Sequence, residues 1–147
     1  FGDVRFLIPA ATTGLVILSA LRGRILATIW AFATLGGYWL IHGLKVFYGR
    51  ARPDYLEPIL TEGSMSFPSF HAAGSAMFYG MCSYLLIRET RRVGWLLAPL
   101  LGLFILLIAF SRVYLGAHWF SDVIAGTTLG FGWVALAMAA AEWTRKH

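Results

Sequence analysis

A histidine and an aspartate stand one helical turn apart in the stretch SRVYLGAHWFSDV, as His118 and Asp122. On a helix, residues four apart share a face, so the carboxylate can accept a proton from one imidazole nitrogen while the other nitrogen points into a site. The pair predicts that His118 is an oriented nucleophile or a base. Arg112 stands six residues before His118 and adds a cation to the same stretch.

The stretch SFPSFHAAGSAMF holds a serine and a second histidine where a helix is predicted to begin, after Pro68. The first amides of a helix lack partners within it, and they lie at the positive end of its dipole. We therefore predict that the Ser69 side chain and the amides around Phe70 and His71 bind an anion.

A third stretch, KVFYGRARPDY, places Lys45 and Arg52 six residues apart, and Pro53 ends any helix before it. Together with Arg112 these residues form a predicted cationic cradle. Guanidinium groups bind phosphate oxygens two at a time. The predicted ligand is a phosphate.

Any one of these motifs could be structural, and several residues near them are predicted to have structural roles. Lys and Arg at the ends of membrane helices are usually interfacial anchors, and we predict that role for Arg5 and Arg50. His42 is predicted to be a packed or hydrogen-bonded histidine. Neighbouring residues are assigned to an interfacial aromatic belt (Tyr48, Tyr55, Tyr114 and Trp119) and to a solvated loop (Asp54, Glu57 and Glu62). Two histidines, a carboxylate, a serine and three cations on one side are harder to explain as anchors, because ionisable groups near the apolar zone are costly.

The composition indicates what kind of protein holds these motifs. Of 147 residues, 59% are hydrophobic and 13% are charged, with a mean hydropathy of +0.70, whereas a soluble domain has about a quarter charged residues. We predict an integral membrane protein. The net charge of +5 does not predict nucleic-acid binding, because no basic run is longer than a pair such as Arg91 and Arg92. With Cys82 as the single cysteine, no intrachain disulfide can form.

Five apolar segments are candidates for membrane helices, at residues 6–21, 25–47, 72–87, 93–110 and 120–143. The first is short and contains Pro9, which predicts either a truncated or a broken helix. Small residues, as in IAGTTLGFG at 124–132, favour close helix packing. The predicted fold is all-α, a polytopic transmembrane bundle of five spans that forms one domain over residues 1–147.

Loop charge predicts the orientation of the bundle. If the spans alternate, one side receives seven cations: Arg22, Arg24, Arg88, Arg91, Arg92, Arg145 and Lys146. The other side receives five: Arg5, Lys45, Arg50, Arg52 and Arg112. The richer side is predicted to be cytoplasmic. If three of the five bind phosphate, the bias becomes two against seven, and the motifs lie on the extracytoplasmic face.

The three motifs, K-x6-RP (45–53), PS-x-H (68–71) and SR-x5-H-x3-D (111–122), resemble the signatures of the type 2 phosphatidic-acid phosphatase superfamily. This family includes bacterial membrane phosphatases for phosphatidylglycerophosphate and undecaprenyl pyrophosphate, and it shares its site with vanadium haloperoxidases. The chain departs from the pattern at Phe70, where the family usually has glycine. Membrane members usually have six spans with the first motif after the third, so the resemblance predicts one further helix before Phe1.

The resemblance implies a mechanism. His118 attacks phosphorus to give a phosphohistidine, Asp122 stabilises the imidazolium, and His71 protonates the leaving group before water releases phosphate. The equatorial oxygens are bound by Lys45, Arg52, Ser69, the Phe70 amide and Arg112. The expected partners are a lipid phosphate and membrane lipids, with no nucleic acid, no cofactor and no metal, in a bacterial inner membrane. The preferred lipid, monoester or pyrophosphate, and the oligomeric state stay open.

Two other functions remain open. A vanadate-dependent haloperoxidase would use the same residues, although such enzymes are normally soluble and five spans argue against that function. A non-enzymatic bundle that binds or transports lipid phosphates would tolerate the loss of His118.

Overall fold

The computed structural model describes residues 1–53 and 63–146, and its regular structure over these ranges is helical. The elements are α1 (Val4–Leu21), α2 (Arg24–Ala31), a π-helical turn (Phe32–Gly36), α3 (Gly37–Tyr48), α4 (Phe70–Thr90), α5 (Arg92–Tyr114) and α6 (Phe120–Lys146). The all-α prediction is confirmed. Part of the predicted solvated loop and belt, namely Asp54, Tyr55, Glu57 and Glu62, lies outside the described residues.

Helix α1 runs through Pro9 as one element of 18 residues, so the alternative of a broken first helix is wrong. It begins at Asp3, whose carboxylate accepts a hydrogen bond from the Arg5 amide at 2.7 Å. The hydroxyls of Thr12 and Thr13 donate to backbone carbonyls one turn earlier, at 2.8 and 2.9 Å. These polar groups are therefore satisfied within the helix, as a lipid environment requires.

Helices α2 and α3 are joined by the π-helical turn into one rod, Arg24–Tyr48. The indole of Trp133 donates to the Phe32 carbonyl at 3.0 Å and its ring stacks on that of Phe32 at 4.4 Å. A Cβ on Gly37 would lie 2.3 Å from the Met77 sulfur, so a larger residue there would require the Met77 side chain to move. The rod ends at Gly49, in a left-handed conformation (φ 56°), one turn after Lys45.

Helix α4 is the central helix of the bundle. Its first half is almost entirely buried and consists mainly of small residues, Ala72, Ala73, Gly74, Ser75 and Ala76 among them. Helix α6 packs closely against it, because a Cβ on Gly126 or Gly130 would lie 2.6 or 2.7 Å from a carbonyl oxygen at the start of α4. The predicted small-residue packing is thus confirmed at these two glycines, whereas Gly132 has nothing within 4 Å of its Cβ position.

Four helices of the described residues are long and apolar enough to cross a membrane: Val4–Leu21, Arg24–Tyr48, Arg92–Tyr114 and Phe120–Thr144. All five predicted segments are helical, but α4 (Phe70–Thr90) does not reach the hydropathy of the other four. The physical reason is its position, since a helix enclosed by other helices exposes little surface to lipid. Helix α5, by contrast, exposes many large apolar side chains, including Leu96, Leu100, Leu103, Leu106 and Leu107. The protein is an integral membrane protein with an all-α helical bundle.

Candidate active site

The three motifs meet at one end of the bundle, around a cavity of about 930 Å³. The cavity is lined by five of the predicted site residues, Lys45, Phe70, His71, Arg112 and His118. The further polar members of the wall are Asp3, Arg5, Tyr38, His42, Ser64 and Ser111. The predicted convergence of the motifs is confirmed. His42, expected to be packed, is an exposed residue of this wall whose ring lies 6.2 Å from that of Tyr38.

His118 lies between a carboxylate and a guanidinium. Its side chain is buried, and Nδ1 is 3.6 Å from Asp122 Oδ2 and 3.5 Å from Ser66 Oγ. Its other nitrogen, Nε2, is 3.2 Å from Arg52 Nη1. One ring edge thus faces acceptors and the other faces a cation, which favours this orientation of the imidazole.

The local structure that brings His118 to Asp122 differs from the predicted one. His118 is not helical, because α6 begins at Phe120 and the turn before it passes through Gly116 at φ 68°. Asp122 is in the first turn of α6, and its Oδ2 accepts the Trp119 amide at 3.1 Å, as the acidic residue of a capping box does. The shared helical face is therefore wrong, but the pairing of His118 with Asp122 is confirmed.

Asp122 is fully buried and has three hydrogen-bond donors around it. Oδ2 accepts from the Ser66 hydroxyl and from the Trp119 amide. Oδ1 accepts from Arg50 Nη1 at 2.7 Å, an ion pair in which the Arg50 side chain is 41% exposed. The prediction that Arg50 is a membrane anchor is wrong, since its guanidinium is directed at this buried carboxylate.

The cations of the cradle are held largely by the backbone. Arg52 donates to the carbonyls of Ser64 and Ala117 at 2.8 and 2.6 Å, and to the Ser64 hydroxyl at 3.0 Å. Lys45 is buried, and its ammonium donates to the Met65 carbonyl. These bonds join the end of α3, the segment before α4 and the turn before α6, so the three motifs form one connected structure.

Arg112 completes the cationic group from the last turn of α5. Its Nε donates to the Ser111 hydroxyl at 3.1 Å. Its carbonyl accepts the amides of Ala117 and His118 at 3.1 and 3.3 Å. Arg112 therefore lines the cavity and also supports the turn that presents His118.

The second histidine, His71, is in the first turn of α4, with Nε2 at 3.6 Å from Asp3 Oδ2. The Arg5 amide lowers the pKa of Asp3, burial opposes that effect, and a positive charge on His71 lowers the pKa further. Both histidines of the motifs, His71 and His118, thus have a carboxylate beside them. Only the partner of His118 was visible in the spacing of the sequence.

Ser69 is the N-cap of α4, and its amide donates to the Asp122 carbonyl at 3.0 Å. Among residues 1–53 and 63–146, its Oγ stands out as a buried side-chain oxygen without a hydrogen-bond partner. Such groups are rare and call for an explanation, of which a ligand is one. Phe70 follows, and its ring meets that of Tyr38 edge to face at 5.5 Å on the cavity wall.

Three residues of the site were missed by sequence reasoning: Arg50, Ser66 and Asp3. Arg50 and Ser66 stand two and three residues before the predicted site residues Arg52 and Ser69, which is a weak local signal. Trp119, assigned to the aromatic belt, lies under the guanidinium of Arg50. The distance from Arg50 Cζ to the centre of the Trp119 ring is 5.5 Å.

Comparison with known proteins is consistent across sequence and structure. The profile of the PAP2 superfamily matches residues 26–146. Phosphatidylglycerophosphatase B of Bacillus subtilis is 36% identical, over 59% of this chain and 44% of that protein. Glucose-6-phosphatase catalytic subunit 1 of Haplochromis xenognathus is 38% identical, over 63% of this chain and 38% of that protein.

The fold also matches a solved structure. The crystal structure of the transmembrane PAP2-type phosphatidylglycerolphosphate phosphatase of Bacillus subtilis superposes with a TM-score of 0.86 at 28% identity, covering 96% of this chain and 71% of that one. The chain spans less than half the length of the two curated relatives described above.

Proposed function

The chain belongs to the PAP2 superfamily, and on that premise we propose that it is a membrane lipid phosphate phosphatase that works through a phosphohistidine. The observation that carries the proposal is the position of His118. Its Nε2 faces Arg52 and its Nδ1 faces Asp122, on the wall of a cavity that also holds His71 and Lys45.

In the first step, Nε2 of His118 attacks phosphorus. A lone pair on Nε2 requires the proton on Nδ1, and the contacts support that tautomer, because Nδ1 faces two oxygen acceptors. Before substrate binds, Arg52 can donate a hydrogen bond to the same lone pair. When substrate enters, Arg52 donates this hydrogen bond to a phosphate oxygen and leaves the lone pair free to attack. The N–P bond forms as the P–O bond to the leaving group breaks.

The negative charge of the transferring phosphoryl group is proposed to lie among Lys45, Arg52, Arg112, the Ser69 hydroxyl and the Phe70 amide. The buried Lys45 and the unpartnered Ser69 oxygen support this assignment. Prearranged donors in a site shielded from water stabilise such charge without reorganisation. Positioning and electrostatics supply most of the rate in phosphoryl transfer.

The leaving oxygen takes a proton from His71, whose Nε2 lies 3.6 Å from Asp3 Oδ2. A water molecule then attacks the phosphohistidine, gives its proton to His71 and releases inorganic phosphate. His118 and His71 return to their starting states. The cycle therefore needs no group other than those of the chain and water.

The wall of the cavity favours a lipid over a sugar phosphate. Beside the charged residues it presents Phe1, Phe70, Phe104 and Ile108, an apolar surface suited to an acyl chain. Among the relatives, one acts by name on phosphatidylglycerophosphate and another on glucose 6-phosphate. We propose a lipid phosphomonoester of the phosphatidylglycerophosphate kind as substrate.

We propose further that α4 also crosses the membrane, which makes five spans in total. The cavity is then proposed to open on the extracytoplasmic face of a bacterial inner membrane. The charge bias of the loops supports this orientation. Residues 1–147 would then form one membrane-embedded phosphatase domain.

The test is phosphate release by the purified chain in detergent. The panel comprises phosphatidylglycerophosphate, phosphatidic acid, undecaprenyl pyrophosphate and glucose 6-phosphate, with His118→Ala as the control. We expect release from the lipids above that from glucose 6-phosphate, and none from the variant. Equal release by His118→Ala, or turnover of none of the lipids, would contradict the proposal. Bromide oxidation by peroxide with added vanadate would instead support a haloperoxidase.

A further inference from the structure

We propose that Arg50 is a positioning residue that holds the Asp122 carboxylate against His118, an inference that rests on the proposed function. Asp122 Oδ2 is 3.6 Å from His118 Nδ1, a separation at which the histidine by itself does not fix the carboxylate. Arg50 Nη1 lies 2.7 Å from the other oxygen, Oδ1. The shortest charged contact of this buried carboxylate is thus with Arg50.

The two oxygens of Asp122 have separate partners. Oδ2 faces the nucleophile and also accepts from Ser66 and the Trp119 amide. Oδ1 accepts from Arg50. Because a carboxylate is planar, fixing Oδ1 also fixes the plane in which Oδ2 meets the imidazole. Arg50 therefore acts on His118 through Asp122 and does not itself line the cavity.

Arg50 is itself held on several sides. Its Nη1 also donates to the Ser121 hydroxyl at 2.9 Å, and the guanidinium lies over the Trp119 ring. Its carbonyl accepts the Ser66 amide at 2.7 Å. A side chain that only anchors a helix at the lipid headgroups needs none of these contacts. We call the Arg50 side chain and its partners Ser121 and Trp119 the Arg50 clamp.

The positive charge of Arg50 stabilises the buried carboxylate of Asp122. A carboxylate removed from water is costly unless it is paired and hydrogen-bonded. When His118 attacks phosphorus its ring becomes positive, and the carboxylate must lie at Nδ1 at that moment. Without Arg50, Asp122 would be buried with only neutral donors and could rotate away from the ring. The phosphorylation step would slow, while phosphate binding by the cradle would be unaffected.

The experiment compares Arg50→Ala and Arg50→Lys with the parent, on one lipid phosphate in detergent. A lost hydrogen bond to a charged group corresponds to roughly a 10- to 100-fold fall in kcat. We expect that loss for Arg50→Ala, with KM unchanged, and a smaller loss for Arg50→Lys. Added guanidinium should restore part of the Arg50→Ala rate, since the Arg50 side chain is 41% exposed and solvent can reach its place. Arg24→Ala, at an exposed cation at the start of α2, is the matched control.

Several results would overturn the inference. These are a parental kcat in folded Arg50→Ala, a loss confined to KM, or a loss that guanidinium does not relieve. If Arg50→Ala does not fold, Ser121→Ala tests the same clamp from an exposed position, and an unchanged kcat in both Ser121→Ala and Arg50→Lys contradicts it. Failure of the proposed function looks different, because His118→Ala would then remain active.

Discussion

Nε2 of His71 lies 3.6 Å from Oδ2 of Asp3, although one residue opens α4 and the other caps α1. The carboxylate accepts the Arg5 amide at 2.7 Å, so it is held in place by the helix that it caps. The site therefore has two pairs of histidine and carboxylate, one for each proposed histidine role. The Asp3 side chain is 49% exposed, which makes this the weaker pair.

Asp3→Asn should lower kcat on a lipid phosphate by roughly two- to ten-fold, because asparagine keeps the helix cap but removes the charge beside His71. On p-nitrophenyl phosphate the loss should be smaller, since that leaving group needs little protonation. Steady-state rates on both substrates, with the unfolding midpoint as a check on the cap, measure this. Equal losses of kcat on the two substrates would show that Asp3 does not contribute to general acid catalysis.

The two histidines should differ in their dependence on the leaving group. General acid catalysis contributes about 10²–10⁴-fold, so His71→Ala should lose roughly that on a lipid phosphate and much less on p-nitrophenyl phosphate. His118→Ala should be inactive on both, because a nucleophile is needed whatever leaves. If the activated substrate rescues His118→Ala and not His71→Ala, the roles are reversed.

Activity should persist in excess EDTA and be inhibited by vanadate. The proposed cycle uses only side chains and water, and a five-coordinate vanadate on His118 resembles the transition state. Phosphate release with chelator, and with increasing vanadate, tests both parts. A chelator-sensitive enzyme restored by magnesium would refute the metal-free mechanism.

Cysteine labelling should report the orientation of the bundle. Glu62 lies outside the described residues, so the neighbouring exposed Gly63 is the better position, with the exposed Arg92 at the start of α5 as its counterpart on the opposite side. In a Cys82→Ser background, an impermeant thiol reagent applied to intact cells should modify Gly63→Cys and spare Arg92→Cys. The reverse pattern would place the cavity on the cytoplasmic face.

The packing of α6 on α4 should make Gly126→Ala destabilising, by about 1–3 kcal/mol, because the new Cβ would lie 2.6 Å from the Ser69 carbonyl. Gly132→Ala is the matched control, with nothing within 4 Å, and should be neutral or stabilising by up to about 1 kcal/mol. Unfolding in detergent followed by circular dichroism compares them. Similar midpoints for the two variants would contradict the close approach.

The sequence was most informative where the signal is local. Apolar runs predicted the five helices, and the three motifs predicted the cavity because each stands at a helix end on the same side. Arg50 could not be assigned in that way, since its partner Asp122 is 72 positions away and an anchoring arginine has the same composition around it. The pairing of Asp3 with His71 depends likewise on which helices become neighbours, and the count of spans depends on which helix is enclosed.

The π-helical turn at Phe32–Gly36 has a consequence for how this chain can change over evolution. A π turn holds one residue more than an α-helical turn, and this residue is accommodated within the turn, so the helix continues after it in nearly the same orientation. Lys45, a cation that lines the cavity, lies beyond this turn on the same rod, in the last turn of α3. Loss of a single residue inside the turn would therefore give an ordinary α-helical turn and leave the Lys45 ammonium facing the cavity, whereas loss of a residue between the turn and Lys45 would rotate it by about 100°. The chain can therefore shorten by one residue within the turn, but not between the turn and Lys45, without moving the ammonium from the cavity.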